Sequence, residues 1–184
     1  MRAHAKHTST LTLVLAALVS ASCSDLPSAA GTHATLHANA AAVPASAAVA
    51  SPGLLKEVHA ATARFHSTTQ ATKGGYVLSS PCIAHPTLGG MGFHWVDNNK
   101  VDPVFDPLEP EALVYAPDAS GAPKLAAVEY IVINVGQPAP TFDGQPFDVG
   151  GTPVPVPHWS LHVWVHRDNP AGTFTPFNPD VSCQ

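Results

Sequence analysis

The sequence has little charge of either sign, and positive charge is especially scarce. Of its 184 residues, 8 are lysine or arginine and 13 are aspartate or glutamate. Residues 51–184 carry six basic and twelve acidic side chains, and the basic ones are scattered along the chain. A nucleic-acid interface needs basic side chains clustered against phosphates. The composition therefore argues against nucleic acid as a partner, and equally against docking on an anionic membrane.

The chain also lacks a hydrophobic run of the roughly 20 residues that a membrane-spanning helix needs. A shorter apolar run, residues 11–19, follows Arg2 and Lys6 and precedes a stretch of small residues. This order is typical of a secretory signal peptide. We predict that residues 1–22 are a signal peptide and that the protein is exported, either to the periplasm or cell envelope or as a secreted protein.

Cysteine is scarce as well, with three in the chain and no C-x-x-C motif. An odd cysteine in an exported protein needs an explanation. Lipoprotein processing would make Cys23 the acylated N-terminus, although Ser20 stands where such signals usually carry leucine. The alternative is ordinary cleavage that removes Cys23. We predict lipidation at Cys23, with the lipid as the only membrane contact.

The remaining cysteines, Cys82 and Cys183, most simply form a disulfide in an oxidising compartment. The alternative is a pair of thiols with a redox or metal-binding role, which their wide separation in the sequence disfavours. We therefore predict a Cys82–Cys183 disulfide that closes a loop of about 100 residues, the kind of crosslink that restricts the unfolded chain most.

Composition divides the chain into a leader and one folded domain. Residues 23–50 consist mostly of Ala, Ser, Thr, Pro and Gly and have few large apolar side chains. Such a segment cannot bury enough surface to offset its conformational entropy. We predict a low-complexity tether over 23–50 and a single globular domain over 51–184, a length typical of one domain.

Hydrophobic periodicity predicts an α+β fold for that domain. Apolar residues at helical spacing between Ser51-Pro52 and Gly74-Gly75 predict one helix. Short alternating runs bounded by Pro and Gly then predict antiparallel strands. The clearest runs are residues 76–78, 91–96, 111–115, 124–133 and 159–166. Separate helical and strand blocks favour an N-terminal helix packed on an antiparallel sheet or a small β-barrel.

Three polar side chains stand in the middle of apolar strands. Glu129 shares a predicted strand face with Leu125 and Ala127, while His94 and His162 each lie between large apolar neighbours. A buried carboxyl group needs a cation, a metal or hydrogen-bond donors, or it becomes protonated. Taken singly, each residue is explained as part of the core with its hydrogen bonds satisfied internally.

Taken together, His94, Glu129 and His162 form a ligand set used by zinc enzymes and non-haem iron proteins. Strands in a sheet lie about 4.8 Å apart, so side chains from three adjacent strands can converge. We therefore predict a site for a divalent transition metal. His158 and His166 flank His162 at intervals of four residues, but such intervals span about 13 Å of strand, which is too far for one ion. We predict His158 to lie outside the strand.

Several segments together resemble a group of small exported bacterial proteins to which no reaction is assigned. The segments are residues 91–95 (MGFHW), 110–115 (PEALVY), 128–130 (VEY), 161–164 (LHVW), 169–174 (NPAGTF) and 178–183 (NPDVSC). The resemblance covers residues 54–184. It implies a bacterial, exported, single-domain protein and implies no activity.

Three functions follow from these observations. The first is a cell-envelope domain, exported or lipid-anchored, that binds a metal ion or small ligand. The second is a metal-dependent enzyme of the small-barrel type, with an open coordination position on the ion. The third is a structural or interaction protein in which all three polar residues belong to the core. The sequence contains no G-x-S-x-G, H-E-x-x-H or P-loop motif that would identify a reaction.

Overall fold

The computed structural model describes residues 52–151 and 153–184. The predicted signal peptide, the tether with its lipidation site Cys23, and Ser51 at the start of the predicted helix lie outside the described residues. Within the described residues no helix has the length and apolar character needed to cross a membrane.

The described chain begins with two short helices, where the sequence predicts one continuous helix. Helix α1 spans Pro52–Thr62, a 3-10 turn spans Ala63–Phe65, and helix α2 spans Thr68–Lys73. The break lies at Ser67, whose backbone is extended and whose hydroxyl accepts the N–H of Gln70. Serine is a favoured helix N-cap, so the second start has a local cause that apolar periodicity does not register.

Nine strands follow, and seven of them form one antiparallel sheet. In chain order they are β1 Val77–Leu78, β2 Ile83–His85, β3 Gly89–Val96, β4 Ala112–Pro117, β5 Pro123–Ile133, β6 Thr141–Phe142, β7 Gln145–Pro146, β8 Asp148–Val149 and β9 His158–Val163. The sheet order is β1-β3-β4-β5-β9-β8, with β2 also paired to β3, and β6 and β7 form a separate hairpin.

The fold is therefore α+β with an open sheet, and the predicted β-barrel alternative is wrong. Among the described strands, β1 and β8 end the sheet order and are not paired with each other. Each of these end strands is only two residues long. Closure would need long outer strands that hydrogen-bond across the gap.

A bulge determines which residues share a face of the sheet. The register of the β4–β5 ladder shifts between Val114 and Tyr115, which leaves Ala126 as the extra residue of β5. A bulge interrupts the alternation of side chains. Leu125 therefore belongs to the core on the opposite face from Glu129. The prediction that these two residues share a face assumed strict alternation and is wrong for this reason.

We call one side of the sheet the aromatic face and the other the histidine face. The aromatic face comprises Leu113, Tyr115, Val128, Tyr130, Leu161 and Val163. The histidine face includes His94, Ala112, Val114, Ala127, Glu129 and His162. The core on the aromatic face also contains Val58, Phe65 and Ala71 from the helical region. It is the largest of the three hydrophobic clusters among the described residues.

The predicted disulfide is present and lies beside the histidine face. Cys82 and Cys183 are bonded with their Cα atoms 5.5 Å apart. The C-terminal segment crosses the start of β3, where a Cβ at Gly90 would lie 2.7 Å from Val181 Cγ1 and 3.2 Å from Cys183 Sγ. Val181 is buried in one cluster with Val114. The disulfide thus fastens a C-terminal cover over this part of the histidine face.

Candidate metal centre

The sheet brings the three predicted ligands together on the histidine face. Glu129 on β5 lies directly opposite His162 on β9. His94 on β3 is one strand further away than predicted, because β4 lies between β3 and β5. The β4 residues that pair with them are small or branched, Val114 opposite His94 and Ala112 opposite Glu129. Their short side chains leave room for His94 to reach across β4.

One ligand atom from each residue lies within 4.8 Å of the other two. His94 Nε2 is 3.4 Å from Glu129 Oε2, and His162 Nδ1 is 4.0 Å from Glu129 Oε1. The two imidazole rings have centroids 5.4 Å apart. Bonds of about 2.0–2.2 Å place two ligands of one zinc ion roughly 3–4 Å apart. Side-chain movements of about 1 Å would therefore bring all three onto one ion.

All three side chains are buried, and each has a polar atom without a hydrogen bond. The exposed fraction is 0% for His94, 3% for Glu129 and 4% for His162. Nε2 of both histidines and Oε2 of the glutamate have no hydrogen-bond partner among the described residues. Buried polar atoms are nearly always paired, because leaving one unpaired costs about 1–3 kcal/mol. Three residues of one cluster that each have such an atom therefore require an explanation.

Burial favours the uncharged form of all three side chains. Desolvation lowers the pKa of His94 to about 4. The pKa of His162 is lowered to about 3, mainly by desolvation and to a lesser extent by the nearby His94. Desolvation and, to a lesser extent, the charge of Glu111 raise the pKa of Glu129 well above its usual value. At neutral pH the 3.4 Å contact between His94 and Glu129 is therefore not an ion pair. Neutral imidazole is the form of histidine that binds metals.

Two residues beside the site have no identifiable signal in the sequence. Ser80 lies between β1 and β2, and its Oγ is 2.8 Å from His94 Nδ1. Glu111 precedes β4, is 2% exposed, and accepts the backbone N–H of Ile131 at 2.9 Å. Burial is the main cause that raises the pKa of Glu111 to about 8. Both roles depend on contacts between distant parts of the chain.

The other histidines of the four-residue repeat have different partners. His158 is the first residue of β9, so the prediction that it lies outside the strand is wrong. Its Nδ1 is 2.6 Å from the carbonyl oxygen of Val156. His166 Nε2 lies 2.7 Å from Thr62 Oγ1. Only His162 of the repeat belongs to the group of potential metal ligands found among the described residues.

No protein-family model, curated protein or solved structure matches this chain. The resemblance to exported bacterial proteins therefore remains a prediction from the motifs. What the structure itself defines is an α+β domain with a buried two-histidine, one-carboxyl cluster on an antiparallel sheet.

Proposed function

We propose that this domain binds one divalent transition-metal ion through His94, Glu129 and His162. The observation that supports it is the convergence of three potential ligand atoms within 4.8 Å, where each residue has an unpaired buried polar atom. A cation would interact with all three side chains at once and would offset the cost of burying the carboxylate. Burial raises the pKa of Glu129, so a metal ion would compete with the proton for this carboxyl group.

The donor set favours zinc or iron(II). Two imidazole nitrogens and one carboxylate oxygen match zinc and non-haem iron sites, whereas calcium and magnesium prefer oxygen ligands throughout. Cys82 and Cys183 are joined to each other, so their thiolates do not contribute. The proposed cofactor is therefore a divalent ion of the zinc or iron(II) class.

Burial favours a binding role over the metal-dependent enzyme considered from the sequence. Three protein ligands leave a coordination position for water or substrate, as in zinc enzymes. Here, however, each ligand side chain is at most 4% exposed. A substrate could reach the ion only after the surrounding segments move. A structural or interaction protein without a metal is the alternative if no ion binds.

Elemental analysis tests the proposal. The full chain, purified without a histidine tag, is incubated with zinc or iron(II) and dialysed, and we expect one tightly bound ion per molecule. Glu129→Gln keeps a neutral side chain of the same shape and should lose the ion. His85→Ala is the control, because this exposed histidine lies outside the cluster. A wild-type protein that retains no ion, or equal retention in Glu129→Gln, would overturn the proposal.

We further propose that the protein is exported and anchored in the cell envelope by a lipid on Cys23. The Cys82–Cys183 disulfide supports an oxidising compartment, where such bonds persist. Mass spectrometry of the mature protein tests the anchor. We expect an N-terminal diacylglyceryl-cysteine at position 23, and Cys23→Ser should release the protein from the membrane fraction. A mature N-terminus beyond residue 23 would rule out the lipid anchor.

A further inference from the structure

We infer that Ser80 sets the tautomer of His94, so that Nδ1 carries the proton and Nε2 presents a free lone pair to the metal centre. The consequence for metal affinity rests on the proposed function. The tautomer itself is a property of the metal-free protein and can be measured without an ion.

The other hydrogen bonds of the Ser80 hydroxyl determine whether it donates to the His94 ring or accepts from it. Its hydroxyl donates to the carbonyl oxygen of Pro81 at 2.9 Å and accepts the backbone N–H of His94 at 3.2 Å. A serine hydroxyl has one hydrogen and two lone pairs. The single hydrogen has two possible acceptors, and only donation to Pro81 makes all three contacts hydrogen bonds, because Oγ then accepts from His94 Nδ1 at 2.8 Å. The proton of the ring is therefore on Nδ1.

This assignment leaves Nε2 as the ligating atom. A neutral imidazole carries one N–H, so a proton on Nδ1 leaves Nε2 bare. Nε2 is buried, lies 3.4 Å from Glu129 Oε2 and has no hydrogen bond with the described residues. In the opposite tautomer, Ser80 would donate to the ring and Pro81 would lose that donor. Metal-binding histidines commonly donate their second ring N–H to a neighbouring group in this way.

The segment that carries Ser80 is held on both sides. Before it, Ser79 donates its backbone N–H to the carbonyl oxygen of His94 at 2.8 Å. After it, Cys82 is bonded to Cys183. Ser80 is itself buried. These constraints make Ser80 a positioning residue that acts on the metal through His94.

Two measurements test the inference. Long-range proton–nitrogen NMR spectra of the metal-free protein at neutral pH report the tautomer of His94. We expect the Nδ1–H form in the wild type and in Ser79→Ala, and a shift towards the other tautomer in Ser80→Ala. Titration with zinc should then give an affinity roughly 10–100-fold weaker for Ser80→Ala. Ser80→Thr, which keeps the hydroxyl, should restore both properties.

Ser79→Ala is a matched control, because it removes a neighbouring exposed hydroxyl that donates to the carbonyl oxygen of Val77. A wild-type His94 with its proton on Nε2 would overturn the inference, even if Ser80→Ala fails to fold. An unchanged tautomer in a folded Ser80→Ala would also overturn it. A wild type with the Nδ1–H tautomer that binds no zinc would instead contradict the proposed function and leave the role of Ser80 intact.

Discussion

The two faces of the central sheet differ in how their buried polar atoms are paired. On the aromatic side, three buried tyrosine hydroxyls each donate to a backbone carbonyl: Tyr76 to Pro110, Tyr115 to Phe65 and Tyr130 to Pro107. The indole nitrogen of Trp159 is an isolated exception. A face packed largely by aromatic and branched side chains therefore satisfies nearly all of its few polar groups.

The histidine face shows the opposite pattern within a small area. His94, Glu129 and His162 each have an unpaired buried atom, and their potential ligand atoms converge. On the aromatic face the unpaired indole of Trp159 stands alone, whereas on the histidine face three residues of one cluster each have an unpaired polar atom. The clustering of these three residues favours a bound cation, while His158 Nε2, which is also unpaired, lies outside the group of potential ligands.

The largest expected effect comes from the disulfide that fastens the cover over the histidine face. Replacing both cysteines (Cys82→Ser with Cys183→Ser) removes a crosslink between residues 101 apart in sequence. In the chain-entropy model this costs about 4–5 kcal/mol of unfolding free energy. Urea denaturation of the variant measures the loss. An unchanged midpoint would show that the cover is held by its other contacts.

Glu111 is a second buried carboxyl group, and it does have a hydrogen-bond partner, the backbone N–H of Ile131. Its pKa, raised to about 8 in the folded protein from 4.5, means that the native state holds a proton that the unfolded state releases. Stability therefore falls as the pH rises from 4.5 to 8. At pH 8 the loss is on the order of 4 kcal/mol, at about 1.36 kcal/mol per pKa unit.

Glu111→Gln should remove this contribution while its side-chain oxygen still accepts the N–H of Ile131. We expect the variant to be more stable than the wild type at pH 8 and nearly equal at pH 5. Urea denaturation at the two pH values measures the difference, and subtracting the wild-type curve cancels the contribution of Glu129. Parallel pH profiles would show that Glu111 is ionised in the folded protein.

Zinc should stabilise the protein through the histidine face alone. A ligand that binds only the native state at 100 times its Kd adds about 3 kcal/mol to the unfolding free energy. We expect this gain in the wild type and in Tyr130→Phe, which alters the aromatic face, and its loss in Glu129→Gln. Thermal denaturation with and without zinc measures it. An equal gain in Glu129→Gln would place the binding elsewhere.

The candidate site could be predicted because its signals are local. Glu129, His94 and His162 are each conspicuous among apolar neighbours in a predicted strand, and the spacing of strands in a sheet allows three such side chains to converge. The disulfide follows from cysteine number and compartment once Cys23 is assigned to the leader. The α+β class follows from a helical block that precedes the strands.

Features that depend on distant contacts could not be predicted. The hydroxyl of Ser80 reaches His94 only because β1 and β3 pair, and no pattern near Ser80 records that pairing. The bulge at Ala126 results from the β4–β5 register. Closure of the sheet depends likewise on the outer strands, so sequence alone left the barrel and the open sheet as alternatives. The break at Ser67 did have a local signal, a serine cap, which apolar periodicity outweighed.

The smallest expected effect is on the unfolding free energy of the metal-free protein, where one substitution on each face can be compared directly. Tyr130→Phe removes a hydroxyl that donates to Pro107 at 2.7 Å, and should cost about 1 kcal/mol. Glu129→Met replaces a buried carboxyl that has an unpaired oxygen with an apolar side chain of similar length, and should be neutral or stabilising by about 1 kcal/mol. Urea denaturation of both variants in the presence of a chelator measures whether each is less or more stable than the wild type. If Glu129→Met were strongly destabilising without metal, the carboxyl group would already be satisfied within the protein, and the contrast between the faces would disappear.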